Sequence, residues 1–371
     1  MDFCKFANIP VIDAHVHFGD VRLMPEVLEL MEGAGVAQFN LVSTPHPQFV
    51  NLNPQALHFK VHHPDRVYLF GSLDYSRFLG AADPALTIPL AEQVDRLMAL
   101  GCDGIKMVEG KTTVRKQMGL PFDSETYADF FARAAERGVP ILWHVGDPEE
   151  FWDWERIPEW AKAHGWFYDE TFPTLESLYS EVDNVLERNP TLTVIFAHFY
   201  FLSAQLPRAA ELLNRYPNVN LDITPGIEMY HNFTANFDAA RDFFLQYQDR
   251  ILFGTDSGAG SSIAGKPHID MDVALGRIWM MRNYLETADV FPVPSDPLMT
   301  PDTRPRLRGM KLPADVLAKI YTANFRRIAG PVPKALDMDL VQEELERIAT
   351  LVNASGAPAN PAREVAALLA G

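Results

Sequence analysis

Short apolar runs alternate along this chain with longer segments in which apolar residues recur every three or four positions. Runs such as Val194-Ile195-Phe196-Ala197 are continuous, which is typical of strands buried on both faces of a parallel sheet. The longer segments have the period of amphipathic helices. Strands are predicted at residues 10–14, 38–43, 66–73, 104–108, 139–144, 192–197, 219–223 and 251–254. The helices that follow them are predicted at residues 25–33, 54–62, 89–100, 124–137, 174–188, 204–215, 235–246 and 271–285.

This succession of strand–helix units favours an α/β fold of the (β/α)8 TIM-barrel class. The 371 residues are enough for one large barrel or for two ordinary domains. A doubly wound open sheet is the structural alternative. The glycine fingerprint of a dinucleotide site, which often accompanies that alternative, is missing from the first strand–helix turn.

An aromatic insertion follows the fifth predicted strand. It lies between Asp147 and Pro173 and contains Phe151-Trp152-Asp153-Trp154 and Trp166-Phe167-Tyr168. Because a barrel builds its active face from the loops after its strands, we interpret the insertion as a cover over the pocket. The alternative is a satellite core or a subunit contact, since aromatic residues serve both purposes well.

The chain continues beyond the eighth unit. A connection rich in Pro and Arg at residues 291–312 precedes a helix at 313–328, and an amphipathic helix at 338–351 is followed by a break at 353–361 and a last short helix. We predict a catalytic barrel domain over residues 1–330 and a C-terminal helical extension over residues 331–371. The last helices would close the barrel bottom or dock on a second subunit, which leaves a homo-oligomer open.

Composition narrows the classes of partner. A hydrophobic share of 47% and a charged share of 22% describe a globular protein with a sizeable core. The net charge of −17 argues against nucleic acid and anionic membranes, although a local cationic cluster can still bind an anionic substrate. Cys4 and Cys102 are the only two cysteines, so no disulfide framework is expected. We find no signal-peptide pattern and no membrane-spanning run, and therefore expect a cytoplasmic location.

Candidate chemistry begins in the first strand. His15 and His17 are two positions apart in Val11-Ile12-Asp13-Ala14-His15-Val16-His17-Phe18-Gly19. On an extended backbone this spacing directs both imidazoles to the same side. Two neutral imidazoles aimed at one point suit a zinc-type ion. Taken alone, a pair of polar residues in a loop mouth explains this motif equally well.

Later strands end in further residues of the ligand type. In a barrel the carboxyl ends of the strands meet on one face, so residues distant in sequence come together there. A single histidine after an apolar strand is usually a hydrogen-bonded core residue, whereas a whole set is hard to attribute to packing. The residues at the ends of the fourth, fifth, sixth and eighth strands are Lys106, His144, His198 and Asp256.

This ordered set resembles the amidohydrolase-related superfamily of metal-dependent barrel hydrolases. Within it, the set is most similar to the branch that contains aminocarboxymuconate-semialdehyde decarboxylase-like proteins. The likeness covers about residues 9–330 and is specific for the superfamily but not for the substrate. It rests on Asp13-x-His15-x-His17, His144, His198, Phe253-Gly254-Thr255-Asp256 and the closing segment Ile320-Tyr321-Thr322-Ala323-Asn324-Phe325-Arg326-Arg327.

The resemblance implies a role for each matching residue. His15, His17, His144 and Asp256 would bind one divalent ion, most simply zinc, and Asp256 would also accept a proton. His198 would lie beside the metal-bound water and orient or protonate it. A cation held by neutral imidazoles lowers the pKa of its water towards about 7, which suits attack of hydroxide on a carbonyl. Asp13 would orient a histidine or tighten the strand end.

Substrate contacts are less specific. Lys106 has three interpretations: a carboxylated lysine that bridges two metals, a cation that grips a substrate carboxylate, or a surface lysine. Glu109 would be its ion-pair partner, which favours one metal with two as the alternative. We expect Lys106, His46 and Tyr200 to bind substrate, with Asp222 and Thr224 as weaker candidates for the pocket lining.

Three functions remain open at this point. The preferred one is a metal-dependent hydrolase that acts on an amide, ester or lactone carbonyl of a small organic substrate. The alternative is a metal-dependent lyase that decarboxylates a small unsaturated or aromatic acid, with the metal as electron sink. The same ligands serve both reactions. A non-catalytic metal-binding protein is the third, and the open ligand set argues against it.

Overall fold

Eight parallel strands follow one another around a barrel in chain order. The computed structural model describes residues 1–46, 48, 50–78, 84–226, 228–259, 268–294 and 306–370. The TIM-barrel prediction is therefore confirmed, with strand ends that differ from the predicted ones by a few residues. The barrel strands are β1 Val11–His17, β2 Val36–Val42, β3 Val67–Ser72, β4 Gly104–Gly110, β5 Ile141–Val145, β6 Val194–Phe196, β7 Val219–Asp222 and β8 Ile251–Leu252.

The barrel closes through the residues that come directly after β8. Backbone hydrogen bonds run from Ala14 N to Phe253 O (2.9 Å), from Asp256 N to His15 O (2.8 Å) and from His17 N to Ser257 O (2.8 Å). The first and last strands are therefore joined along the segment that carries the His-x-His motif.

Helices surround the strands. They are α1 Met24–Gly33, α2 Asn53–His62, α3 Leu90–Leu100, α4 Thr112–Met118, α5 Glu125–Arg137, α6 Glu159–Ala163, α7 Leu175–Arg188, α8 Leu206–Arg215, α9 Met229–Ala235, α10 Phe237–Gln246, α11 Met271–Glu286, α12 Ala314–Ala318, α13 Asn324–Ala329, α14 Met338–Ala354 and α15 Pro361–Ala370. The helix predicted at 313–328 is interrupted by a π-helical turn at Lys319–Ala323. In this wide turn the Ile320 carbonyl accepts a hydrogen bond from Phe253 N, at 3.0 Å.

The lower part of the barrel interior is apolar and closed. Phe325 of α13 packs against the rings of Tyr68 and Phe70, with centroid distances of 5.0 and 6.0 Å. Residues such as Ile12, Leu142, Ile195 and Leu252 belong to the same buried cluster. Because α13 fills the amino-terminal end, only the carboxyl end of the barrel is left for a site.

The aromatic insertion after β5 packs on itself. Phe151, Ile157, Ala161 and Tyr168 form a separate buried cluster. The cluster is joined to the barrel through Asp147, whose carboxylate accepts hydrogen bonds from Tyr168 Oη (2.8 Å) and Lys111 Nζ (2.6 Å). The insertion is thus a satellite core beside the barrel mouth, and its role as a cover stays a prediction.

The C-terminal helices pack on the outside of the barrel, α14 against α3 and α15 against α2. The division into domains at residue 330 stays a prediction. The connection at 291–312 contains a short antiparallel pair, Val290–Phe291 with Leu307–Arg308, and residues 295–305 of it lie outside the described residues. Within the described part of the chain, none of the helices is both long and apolar enough to cross a lipid bilayer.

Candidate metal centre

Asp13 fastens the end of β1 to the loop after β8. Its carboxylate accepts hydrogen bonds from Thr255 Oγ1 (2.5 Å), Thr255 N (3.0 Å) and His15 N (3.1 Å). Burial raises the pKa of Asp13 to about 7, against these hydrogen bonds, which lower it. Asp13 therefore shapes the backbone from which His15 and Asp256 project.

His15, His17 and Asp256 form one cluster at the carboxyl end of the barrel. Oδ1 of Asp256 lies 3.1 Å from Nε2 of His17 and 3.6 Å from Nε2 of His15. The ligand atoms of all three lie within 4.8 Å of one another. Two ligands on a tetrahedral zinc ion stand about 3.3 Å apart, because each bond is about 2.0–2.1 Å long. The spacing and the nitrogen and oxygen donors therefore fit a zinc-type cation.

The charges of this cluster also fit a cation. Burial opposes ionisation of Asp256, but the hydrogen bond from His17 and the neighbouring imidazoles hold the pKa of its carboxyl well below the usual range. Burial, reinforced by Lys106, lowers the pKa of His15 to about 4. Burial likewise lowers the pKa of His17. At neutral pH the cluster offers two neutral imidazoles and one carboxylate, whose side chain is 20% exposed and so reachable by water.

The second nitrogen of His15 is held by a buried carboxylate. Nδ1 of His15 lies 2.9 Å from Oδ2 of Asp222 at the end of β7. Burial favours the neutral acid, but the hydrogen bond and charge of His15 and the charge of His198 keep the pKa of Asp222 below its ordinary value. An ionised carboxylate can only accept, so Nδ1 carries the proton and Nε2 keeps its lone pair for a ligand.

Lys106 is fully buried inside the barrel, so its interpretation as a surface lysine is wrong. Its Nζ lies 3.0 Å from Nε2 of His15, within the same cluster. Burial lowers the pKa of Lys106 to about 8, although Asp222 and Asp256 oppose this shift.

Glu109 does not pair with Lys106 as expected. The described part of the structure has no ion pair between the two residues, although the charge of Glu109 still acts to raise the pKa of Lys106. Both carboxylate oxygens of Glu109 are buried, and the neighbouring Tyr75 hydroxyl acts to lower the pKa of this carboxyl. Burial raises the pKa of Glu109 to about 7.

His198 lies on a turn of unusual backbone geometry. His198, Phe199, Tyr200 and Phe201 all have left-handed φ values, between 54° and 56°. Each non-glycine residue in this region costs about 1–2 kcal/mol. Nδ1 of His198 lies 3.3 Å from the carbonyl of Thr224, which can only accept, so Nε2 is the unprotonated nitrogen. Burial lowers the pKa of His198 to about 4, so the ring is neutral near pH 7.

His144 lies beside His198 and not within the three-residue cluster. The His144 and His198 rings are T-shaped with centroids 4.8 Å apart, and Nε2 of His144 donates to the Gly146 carbonyl at 3.0 Å. The cluster of ligand atoms described above comprises His15, His17 and Asp256 without His144. In this structure the nitrogen left free on His144 is Nδ1, and its role as a metal ligand stays a prediction.

The two remaining substrate contacts have different positions. His46 is half-buried on a short ladder, Pro45–His46 with Val50–Asn51, beyond the carboxyl end of β2. Its Nδ1 accepts a hydrogen bond from Gln48 N, at 3.2 Å. Tyr200 is buried in the outer layer of the core, stacked on Phe196 with centroids 4.1 Å apart. Its role as a substrate contact stays a prediction.

Some residues of the centre gave little signal in the sequence. Asp222 was predicted only as a weaker candidate for the pocket lining, and its bond to His15 was not foreseen, although its inward-facing position two residues after Asn220 could have indicated a histidine partner. Gly254 allows close packing, because a Cβ at this position would lie 2.8 Å from Thr224 Oγ1 and 3.0 Å from His15 Cβ. Phe201, stacked on His198 with centroids 5.3 Å apart, depends on the turn and had no sequence pattern of its own.

Comparison with known proteins adds a family match. The model of a protein family described as amidohydrolase matches residues 12–329. No curated protein matches the chain in sequence.

Solved structures share the fold at low identity. An uncharacterized TIM-barrel protein, Bb4693 from Bordetella bronchiseptica, is 17% identical with a TM-score of 0.51, over 87% of this chain and all 100% of that one. The 2,6-dihydroxybenzoate decarboxylase from Rhizobium is 16% identical with a TM-score of 0.50, over 86% and 98% of the two chains. The IDCase of Metarhizium anisopliae is 15% identical with a TM-score of 0.50, over 87% and 97%. These similarities concern the fold alone.

Proposed function

Because the chain belongs to the amidohydrolase family, we propose that it is a zinc-dependent hydrolase that adds water to the carbonyl of an amide, ester or lactone in a small organic substrate. The observation that carries this proposal is the convergence of His15 Nε2, His17 Nε2 and Asp256 Oδ1 at the open end of the barrel. His15, His17 and Asp256 would hold the cation, with His144 as a fourth ligand once its ring turns towards them.

The proposal divides the chemistry between the cation and the protein. When bound, the cation is a Lewis acid that polarises a carbonyl and makes water more acidic. Asp256 is ionised and partly exposed, so its carboxylate accepts the proton that the attacking water gives up. The unprotonated Nε2 of His198 accepts a hydrogen bond from that water and orients it, and the proton taken up by Asp256 then passes to the leaving group.

Lys106 and the aromatic ring of Phe201 suggest which kind of substrate the site binds. Lys106 places an amino group inside the barrel, 3.0 Å from the His15 ring, where it can bind a substrate carboxylate or carbonyl oxygen. Phe201 stacks on His198 and lies 5.7 Å from the ring of His144, so that side of the site is apolar. A small molecule with one apolar side and one anionic or carbonyl group fits these surroundings, and His46 stays a proposed contact.

A decarboxylase is the second candidate, favoured by the same buried cation. An amino group that holds a carboxylate next to apolar rings places that carboxylate where water does not stabilise its charge, which promotes loss of CO2. Lys106 and Phe201 provide these two surroundings. In this reaction a solvent proton, delivered by a water that is hydrogen-bonded to Nε2 of His198, would go to the carbon that CO2 leaves.

One experiment separates these possibilities. The purified protein is stripped with a chelator, reloaded with zinc, and assayed against small lactones, esters, amides and aromatic or unsaturated acids while CO2 release is recorded. We expect His17→Ala to lower both zinc content and turnover, since removing a ligand or its support typically costs at least about 10- to 100-fold in metal affinity. Hydrolysis without CO2 supports the hydrolase, and CO2 release supports the second candidate.

The matched control is His164→Ala, which removes an exposed histidine on the aromatic insertion. We expect it to leave zinc content and turnover unchanged. If the wild-type protein binds no divalent cation, or if His17→Ala keeps full zinc content, the proposed site is wrong.

A further inference from the structure

Asp222 touches two parts of the centre that are far apart in sequence. It is fully buried at the carboxyl end of β7. One carboxylate oxygen, Oδ2, receives Nδ1–H of His15 at 2.9 Å. The other, Oδ1, receives two backbone N–H groups, from His198 at 2.8 Å and from Thr224 at 3.1 Å. Both carboxylate oxygens of Asp222 therefore accept hydrogen bonds from residues of the site.

The bond to His15 determines which nitrogen of the ring can be a ligand. With the proton on Nδ1, the lone pair of Nε2 faces Asp256 and Lys106, at 3.6 and 3.0 Å. A hydroxyl–imidazole contact from Thr224, at 3.3 Å, is longer and can reverse its direction, so it does not fix the tautomer. The carboxylate of Asp222 imposes this proton position on His15 from the Nδ1 side, and the Lys106 ammonium, which can only donate, favours the same tautomer from the Nε2 side.

The bonds to the backbone hold a strained turn. Four consecutive left-handed residues begin at His198, each at a cost of about 1–2 kcal/mol. Such a turn persists only where surrounding contacts outweigh its cost. The N–H of His198, at the start of the turn, is bound by Asp222, and Tyr179 Oη donates to the Tyr200 carbonyl at 2.8 Å. The position of the His198 ring thus depends on the same carboxylate that orients His15.

We propose that Asp222 is the positioning residue of this centre: one carboxylate fixes the tautomer of His15 and the backbone that carries His198. The inference rests on the proposed function, because it assumes that His15 binds the cation through Nε2. It predicts that metal affinity and proton transfer change together when the charge of Asp222 is removed, even though Asp222 binds neither metal nor substrate.

Asp222→Asn tests this with little change of shape. The amide oxygen can still accept from His198 N and Thr224 N, so the turn is kept. The amide nitrogen then faces Nδ1 of His15 as a donor, which favours the tautomer with the proton on Nε2 and removes the lone pair from the ligand position. Two buried N–H donors that face each other are costly, so we expect the His15 ring to move its proton from Nδ1 to Nε2.

The readouts are zinc affinity, measured by competition with a chromogenic chelator, and the His15 tautomer, measured by long-range 15N–1H NMR of the metal-free protein. We expect wild type to show the proton on Nδ1. We expect Asp222→Asn to show it on Nε2 and to bind zinc about 10- to 100-fold more weakly. Asp183→Asn, the same change at a half-exposed carboxylate outside the centre, should keep the wild-type tautomer and affinity.

Three outcomes are distinguishable. If wild type itself binds no zinc, the proposed function fails and the tautomer measurement still tests the hydrogen bond. If wild type binds zinc and Asp222→Asn binds it equally tightly, the positioning role is overturned. If Asp222→Asn does not fold, the tautomer of wild-type His15 decides, because a proton on Nε2 there contradicts the inference.

Discussion

At the scale of single residues, burial decides the protonation of this centre. His15 and His198 are both buried at the carboxyl end of the barrel, and burial is the largest cause of the lowered pKa of each, to about 4. Neutral imidazoles are what a cation requires as ligands, so the same desolvation that destabilises the charged rings prepares the site.

These shifts predict how stability depends on pH in the metal-free protein. Between pH 6.5, the ordinary pKa of histidine, and about 4, the unfolded chain binds protons at His15 and His198 that the folded chain does not. The free energy of unfolding therefore falls as pH is lowered through this window, by up to about 1.4 kcal/mol per pH unit for each histidine. Denaturant titrations at several pH values in the presence of chelator measure this slope.

Two buried acids act in the opposite direction. Asp13 and Glu109 have a pKa of about 7 in the folded state, so between about pH 4 and 7 the folded chain binds protons there that the unfolded chain releases. The pKa of His17 and that of His144 are also lowered, so the four histidines of the centre together favour a positive net slope. His198→Gln should flatten the slope, and a stability that rises steadily from pH 6.5 to 4 would contradict the assignment.

Residue chemistry and spacing were sufficient to predict part of the site. His15 and His17 face one way because β1 is extended, and Asp256 joins them because the barrel brings β8 beside β1. Tyr200 could not be placed in this way, because a left-handed turn ends the strand alternation on which the prediction relied. The ring orientation of His144 depends on the Gly146 carbonyl, a contact that strand patterns do not encode.

At the scale of elements, strain distinguishes functional from connecting segments. The left-handed turn at His198 is buried and fastened by Asp222, whereas Lys311, with φ of 47°, lies exposed between the second short strand of the connection and α12. Nothing in the site depends on Lys311. Its strain is therefore a cost that a substitution can remove without a change in activity.

Lys311→Gly should stabilise the protein. Glycine removes about 1–2 kcal/mol of left-handed strain and loses about 0.5–1 kcal/mol through its more flexible unfolded state. The expected gain is therefore roughly 0.5–1 kcal/mol in the free energy of unfolding, measured by denaturant titration. Lys311→Ala removes the same side chain but keeps the strain, so it should show no gain. Equal stability of the two variants would mean that the strain at this position is negligible.

At the scale of the whole molecule, the C-terminal extension braces the barrel rim. Arg347 of α14 donates to Asp74, in the loop after β3, at 2.7 Å, and to Glu344 at 2.7 Å. Its side chain is 11% exposed, and those of Asp74 and Glu344 are 3% and 4% exposed. The C-terminal extension is therefore held to the carboxyl side of the barrel by ion pairs between side chains that are largely buried from water.

Arg347→Met should destabilise the protein strongly. Removing one member of a buried ion-pair network typically costs about 3–5 kcal/mol, because the remaining carboxylates are left buried. Urea titration should show this loss, and limited proteolysis should release the tail earlier than in wild type. Arg156→Met, which breaks an exposed pair with Glu149, is the control and should cost less than about 1 kcal/mol. Similar losses in the two variants would exclude a bracing role for the tail.

Periodicity alone was enough for the barrel, because strands buried on both faces and their following helices repeat along the chain. It was not enough for the aromatic insertion and the tail, whose partners are decided by tertiary contacts. The link of Tyr168 to Asp147, for example, joins the insertion to the barrel through one buried carboxylate. The interruption of the closing helix at Lys319–Ala323 depends on a distant donor, Phe253 N.

The hydrogen bonds that close the barrel between β1 and the segment after β8 determine when the site can form during synthesis of the chain. These hydrogen bonds lie on the backbone of His15, His17 and Asp256, and the bond between Thr255 and Asp13 joins residues 242 positions apart. A chain still emerging from the ribosome lacks the last strand and so has no chelating pocket, only a pair of isolated imidazoles. Under the proposed function, binding of the cation is thereby deferred until synthesis has passed the eighth strand.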